Sequence, residues 1–269
     1  MDKAVILAGG LGTRMRKQDG AAALTESQAR VAGTGVKAMI PIDRPFLDYV
    51  IAVLADAGYR KVCLVIGPGH DNVRQYYDQQ APPKRLSIEY AVQPEPLGTA
   101  NAVAAAEAFV GDDPFLMINS DNHYPLDAVR ALRGLTGPGL AGFERDALIE
   151  KSNIPAERVL KFAIADIDDA GRLRRVIEKP SQEQIDEMGD RVYLSMNCWR
   201  FTPNVFKACR DITPSPRGEY EITDAAQYCI DKLGEQFTVI KSDSPVLDLS
   251  SRQDVAPVTQ LLAGREVSY

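Results

Sequence analysis

The chain has 269 residues, 45% of them hydrophobic, and a formal net charge of −6 at pH 7 with a pI near 5.1. That length and composition build one large α/β domain or two small ones, and one domain is the expectation. The acidic balance excludes a broad basic surface, and so argues against nucleic acid or an anionic membrane as partner.

No apolar run approaches the roughly 18 residues of a membrane-spanning helix. The N-terminus enters an apolar strand directly, without the leader pattern of a secreted protein. Cys63, Cys198, Cys209 and Cys229 are scattered through apolar or amphipathic segments with no Cys-x-x-Cys spacing, so they read as small core residues. With two histidines in the chain a zinc site is not expected, and a reducing cytoplasm is the expected compartment.

In chain order, residues 4–8 (Ala4, Val5, Ile6, Leu7 and Ala8) read as a strand buried on both faces, and they empty into Gly9, Gly10, Leu11, Gly12, Thr13 and Arg14. Three glycines in four positions let backbone N–H groups approach a ligand closely, and Thr13 and Arg14 add a hydroxyl and a permanently charged fork suited to a triphosphate. The loop is not the Gly-x-x-x-x-Gly-Lys phosphate loop, because no lysine follows Gly12. Nor is it the dinucleotide fingerprint, whose third glycine would fall on Met15.

Between Arg16 and Lys37 lie about twenty residues, long for a strand-to-helix connection. Residues 24–31 with Thr25 as N-cap read as a short helix. The whole insertion, 17–36, is expected to be either a mobile surface loop or a lid over bound nucleotide. Lys37 then brings a cation into the apolar run from Ala38 to Ile42.

Helical patterns at 46–57, 70–79 and 98–109 alternate with strands at 61–66, 86–92 and 115–118, the pattern of a mostly parallel sheet wound with helices. His70 reads as a helix-start residue. Gln93 closes the strand 86–92 with an amide that suits a nucleobase edge, and Gly98 and Thr99 open the next helix, where glycine permits close backbone approach. Asp121 follows the strand 115–118, where α/β sheets place their ligands. His123, two residues on, is weighed as a substrate contact or a hydrogen-bonded structural residue.

Strand patterns at 139–144, 160–167, 173–178 and 192–201 predict antiparallel additions in the second half, with a turn at Asp169, Ala170 and Gly171. Lys179 ends one of these strands, and Trp199 on another reads as core or pocket wall. Helices near 203–210, 222–233 and 252–263 and a strand at 236–241 complete the chain. Asp248 follows Pro245, Val246 and Leu247 in a position comparable to Asp121. Two carboxylates beside a triphosphate form a Mg2+ site, since that cation takes hard oxygen ligands and shares them with phosphate.

These residues in this order resemble the sugar-phosphate nucleotidyltransferase family, which includes glucose-1-phosphate thymidylyl-, uridylyl- and adenylyltransferases and mannose-1-phosphate guanylyltransferases. The stretch from Leu7 to Met15 is similar to its nucleotide signature, and Lys37 with Met39, Pro41, Pro45, Phe46 and Leu47 to a second signature whose lysine contacts phosphate. Gln93 with Leu97, Gly98, Thr99 and Ala100 resembles the base-reading segment. Asp121 and Asp248 fall on the metal aspartates, Glu178, Lys179 and Pro180 on the sugar-phosphate motif, and 217–224 on a segment before a late helix that reaches the sugar.

The resemblance implies a three-layer αβα fold with a mixed, mostly parallel Rossmann-like sheet. It implies a nucleotide-binding half at 1–125 and a sugar-phosphate half at 126–269 of one catalytic domain. Leu7, Ala8, Gly9, Gly10, Gly12, Thr13, Gln93, Gly98 and Thr99 are expected to bind nucleotide, and Glu178, Ser195 and Glu219 the sugar phosphate. Arg14, Lys37 and Lys179 are expected to serve the phosphates, with Mg2+ on Asp121 and Asp248.

The implied reaction transfers a nucleotidyl group from a nucleoside triphosphate to a sugar 1-phosphate. By resemblance dTTP or UTP and glucose 1-phosphate are favoured over ATP, GTP or CTP with another sugar phosphate. A nucleotide-sugar sensor without turnover is the alternative of another class, and a nicotinamide oxidoreductase is disfavoured by the failed fingerprint. Whether the chain forms a homo-oligomer is left open. The chain departs from the family at Phe162, Ala163 and Ile164, at Asn197, and at Leu249, Ser250 and Ser251, all on the sugar or metal side. No hexapeptide-repeat extension follows, so an added acetyltransferase activity is not expected.

Overall fold

The computed structural model describes residues 1–17, 22–189 and 191–269. Its strands are β1 (Lys3–Leu7), β2 (Lys61–Ile66), β3 (Ser87–Val92), β4 (Phe115–Asn119), β5 (Asn122–His123), β6 (Gly139–Glu144), β7 (Ile164–Ile167), β8 (Leu173–Ile177), β9 (Tyr193–Phe201), β10 (Thr238–Ser242) and β11 (Leu247–Asp248). The helices are α1 (Thr13–Arg16), α2 (Glu26–Thr34), α3 (Phe46–Ala57), α4 (Asp71–Gln75), α5 (Thr99–Ala104), α6 (Glu107–Val110), α7 (Leu126–Gly134), α8 (Arg145–Lys151), α9 (Ala156–Val159), α10 (Gln182–Glu187), α11 (Asn204–Asp211), α12 (Ile222–Leu233) and α13 (Val255–Leu262).

β1 runs parallel between β2 and β4, and β2 is parallel to β3. The nine-stranded sheet has the order β10-β6-β9-β4-β1-β2-β3, with β7 paired to β8 and β9. β9 is antiparallel to both β4 and β6, which realises the antiparallel additions expected of the second half. Successive residues of a strand face opposite sides, so continuous apolar runs demand cover on both. Ala4, Ile6, Leu64, Leu116 and Ile118 pack one way, with residues of α3, α7 and α13. Val5, Cys63, Val65, Phe115 and Met117 pack the other way, with residues of α5, α11 and α12. The result is the three-layer αβα arrangement.

Four expectations shift in detail. The segment 160–167 becomes a strand only from Ile164, because α9 occupies 156–159 behind Pro155 at its N-cap. The helix 98–109 divides into α5 and α6 where Ala106 leaves helical geometry at φ −90°, ψ 3°. The helix 70–79 starts as α4 behind His70 but winds as a π-helix over Tyr76–Gln80. That wider turn lets two consecutive phenols, Tyr76 and Tyr77, donate to the single buried carboxylate of Asp48 at 2.8 and 2.9 Å. Lys37, read as a strand-end cation, instead opens a 3₁₀ turn over Lys37–Met39.

Within the insertion 17–36, residues 18–21 lie outside the described residues, and the rest is ordered by local chemistry. Thr25 caps α2 through a complete capping box with Gln28. Gly35 ends α2 at φ 81°, and its carbonyl packs so closely on Gly12 that a Cβ there would stand 2.0 Å from it. Arg16 ties the same corner by donating to the Thr34 carbonyl at 2.9 Å. Among the described residues no helix is long and apolar enough to cross a membrane.

Candidate active site

A cavity of about 440 Å³ opens at the carboxyl ends of β1 and β4. Leu7, Ala8, Gly9, Gly10, Gly12, Thr13 and Arg14 form one wall, and Lys37, Gln93, Gly98, Thr99, Asp121 and Glu219 close round it. Every nucleotide residue expected from the sequence is therefore in one place. Outside the regular elements, no N–H from Gly9 to Arg14 donates to a backbone carbonyl among the described residues, so the loop presents free donors to the cavity. Arg14 is exposed at the rim.

Gln93 is buried, and its side-chain N–H groups are both committed, to the Gly98 carbonyl at 3.0 Å and Asn101 Oδ1 at 2.9 Å. Its Oε1 faces Gly9, where an added Cβ would meet it at 3.4 Å. Gln93 thus offers the cavity an acceptor alone. Gly98 lines the cavity and also admits backbone: at φ 119° a Cβ would stand 2.4 Å from the Tyr220 carbonyl oxygen. Tyr220 and Leu97 bond there at 2.8 Å, and the Thr99 hydroxyl accepts the Ile222 N–H at 2.8 Å, capping α12 and not its own helix. This crossing carries Glu219 to the cavity wall.

Asp121 and Asp248 meet through a two-stranded ribbon that the sequence pattern did not reveal. β5 and β11 pair antiparallel with Asn122 opposite Asp248, and the Leu249 N–H donates to the Asp121 carbonyl at 2.8 Å. Asp248 is thus held off the main sheet and not at the end of one of its strands. Its carboxylate is buried and accepts from Asn122 at 3.1 Å and Ser250 at 2.9 Å, while Arg158 stands 3.0 Å away. Burial first, then the neighbouring Asp121, push its carboxyl up to about 6, against the pull of Arg158. Lys37 pairs with Asp121.

A hard divalent cation fits this pair of oxygen donors, which repel each other without one. Among the described residues no cluster of three or more His, Cys, Asp or Glu offers a fuller protein cage, so phosphate oxygens would complete the coordination. Arg158 also forks onto Asp254 at 2.9 and 3.1 Å, and nothing in its sequence context signalled this place.

Of the sugar-side residues Glu219 lines the cavity, whereas Glu178, Lys179 and Ser195 lie beyond its lining. Glu178 is exposed, but partial desolvation by its surroundings pushes its carboxyl up, the Thr223 hydroxyl pulls it back, and Glu221 and Asp224 add to the rise. Lys179 is exposed, with the uncommon φ of 48°. Ser195 is buried with its Oγ unpartnered. Trp199 is fully buried core, stacked on Phe201. His123 is buried on β5, where burial and Arg265 hold its imidazole down to about 4. Asn119, Ser120, Pro96 and Ser250 join the cavity without any sequence signal.

The family model for nucleotidyl transferases matches residues 3–256 of the chain. A glucose-1-phosphate thymidylyltransferase of Streptomyces antibioticus is 34% identical over 233 residues, covering 85% of this chain and 57% of that protein. The UTP–glucose-1-phosphate uridylyltransferase AglF of Haloferax volcanii is 29% identical over 256 residues, covering 94% and 93%. A UTP-bound UGPase from Acinetobacter baumannii superposes with a TM-score of 0.75 at 18% identity, covering 99% of this chain and 95% of that one. The chain spans little more than half the length of several of the curated relatives it matches.

Proposed function

The chain belongs to the nucleotidyl transferase family, and from that premise we propose that it transfers the nucleotidyl group of dTTP or UTP to a sugar 1-phosphate, glucose 1-phosphate first, with release of pyrophosphate. The observation that carries this reading is one cavity holding the N–H-rich loop, Arg14, Lys37, Gln93 and Asp121 together. The product is a nucleotide sugar, so the enzyme serves nucleotide-sugar biosynthesis, in the cytoplasm given four free, buried thiols.

The acceptor-only face of Gln93 supports the choice of base. An acceptor pairs with the imide N–H of uracil or thymine and opposes the ring N3 of cytosine, itself an acceptor. The loop N–H groups and Arg14 bind the triphosphate, with Arg14 on the departing pyrophosphate. Lys179 holds the sugar phosphate, and Lys37 serves either phosphate when it leaves Asp121. Glu178, Ser195 and Glu219 face the sugar.

The sugar phosphate arrives as an anion, so no general base or protein nucleophile is required. What the side chains must do is align it with the α-phosphorus and offset charge. Asp121 and Asp248 would hold Mg2+, which when bound neutralises and orients phosphate oxygens.

The test is pyrophosphate release from a panel of five nucleoside triphosphates against a set of sugar 1-phosphates. Turnover with dTTP or UTP and glucose 1-phosphate is the expected result. Tight triphosphate binding without turnover on any pair would overturn it in favour of a sensor.

A further inference from the structure

Among the described residues only two other than glycine have positive φ, Lys179 at 48° and Asn197 at 56°. A left-handed residue inside a strand is costly, and such outliers gather where a ligand is bound. Asn197 sits at a break in β9: the pairing with β6 slips between Leu140, opposite Trp199, and Gly142, opposite Ser195. From Leu194 to Phe201 all the other residues are buried, whereas Asn197 is partly accessible.

Its amide has a fixed sense. The Trp199 indole N–H points at Asn197 Oδ1 at a long 3.4 Å, which turns the oxygen inward and the Nδ2 hydrogens outward. Among the described residues none accepts from Nδ2, and it is not one of the buried polar atoms left without a partner, so it keeps access to solvent. The backbone around it is clamped. The Tyr124 hydroxyl donates to the Met196 carbonyl at 2.6 Å and lies 3.4 Å from that of Asn197, while receiving the Asn119 N–H at 3.3 Å.

The place is beside the cavity. β4 and β9 pair antiparallel as far as Met117 and Trp199, and just beyond, Asn119, which lines the cavity, and Asn197 both reach the Tyr124 hydroxyl through their backbones. On the other side of the break is Ser195, nine-tenths buried with an unpartnered hydroxyl. A donor pair without a protein acceptor on a clamped backbone, next to an unsatisfied hydroxyl, calls for an oxygen-rich, uncharged neighbour of the phosphates.

We propose that Asn197 is a specificity-determining residue, donating its amide N–H groups to a ring hydroxyl oxygen of the sugar 1-phosphate. The inference rests on the function proposed above. A site built to donate to a hydroxyl rejects sugars that lack it or carry it on the wrong face, since the amide is then left unpaired.

Two variants separate this from a structural role. Asn197→Asp keeps an acceptor for Trp199 and removes both donors; Asn197→Gly removes the side chain and suits the left-handed backbone, so it folds. In pyrophosphate-release kinetics each variant is expected to raise KM for the preferred sugar 1-phosphate about tenfold or more, with KM for the triphosphate within about twofold. The ranking of sugars differing at one hydroxyl is expected to flatten. An unchanged sugar-phosphate KM in both variants, or a rise in the triphosphate KM instead, overturns the inference while wild-type turnover upholds the function. Failure of the wild type with every substrate pair overturns the function and the inference with it.

Discussion

Arg14 and Lys37 both bring positive charge to the cavity, but among the described residues only Lys37 has a carboxylate partner. Arg14, exposed and unpaired among the described residues, is the cation free to meet an incoming phosphate. Replacing it by Ala should therefore leave folding intact and lower turnover at least about 10²-fold, as expected when one transition-state contact is lost. A near-normal rate of pyrophosphate release would remove Arg14 from the reaction. His70 gives a pH prediction. Its ring accepts the Gly67 N–H at 3.3 Å, and burial holds its imidazole below the ordinary 6.5. As pH falls through 6.5 the unfolded chain takes up a proton that the folded chain refuses, so stability is lost on the acid side. His123 acts with the same sign down to about pH 4. His70→Asn, which keeps an acceptor without titrating, should give a shallower loss of Tm between about pH 7 and pH 5; an unchanged slope would mean the ring is not the sensor.

At the scale of elements, the glycine loop depends on what packs behind it. Gly12 has a φ of 58° and lies against the carbonyl of Gly35, where α2 ends. Gly12→Ala puts a methyl group where backbone already stands, so the loop and the end of α2 must part. The expected outcome is a lower Tm together with weaker triphosphate binding by calorimetry, whereas normal binding would show that the contact does not shape the loop. The described part of the insertion is thus a buttress, built on the Thr25 capping box that the sequence announced. The β5–β11 ribbon is the other decisive element, since its register sets Asp248 beside Asp121. Arg158 holds that ribbon to the turn before α13 by spanning Asp248 and Asp254. Arg158→Ala would leave two buried carboxylates without their shared cation and should cost about 3–5 kcal/mol in denaturant unfolding. A cost under about 1 kcal/mol would place the pair among weakly coupled surface bridges.

For the whole molecule, one sheet covered on both faces predicts inert thiols. Cys63, Cys198, Cys209 and Cys229 are all buried, and burial pushes Cys63 and Cys209 up to about 12 and the other two higher. Ellman's reagent should titrate none of them in the native protein and four in denaturant, and any fast native reaction would contradict the packing. Much of this architecture was legible in the residues. The apolar runs at 4–8, 61–66 and 115–118 read as strands, the first as one buried on both faces, and three glycines before Thr13 and Arg14 read as a loop able to approach phosphate. Chemistry fixed by neighbours in sequence, such as a cap, a turn or a glycine loop, is written locally, because its hydrogen bonds close within a few residues. What the sequence determined alone was therefore the α/β class, the chain order of the strands of its main sheet and the residue types of a candidate phosphate site. The tertiary structure decided which residues meet: Asp121 with Asp248 across a two-residue ribbon, Gly98 with Tyr220, Arg158 with both acids, and Asn197 turned out of its strand. Those contacts join positions scores of residues apart through two-residue strands and single left-handed turns, which leave no periodicity to read.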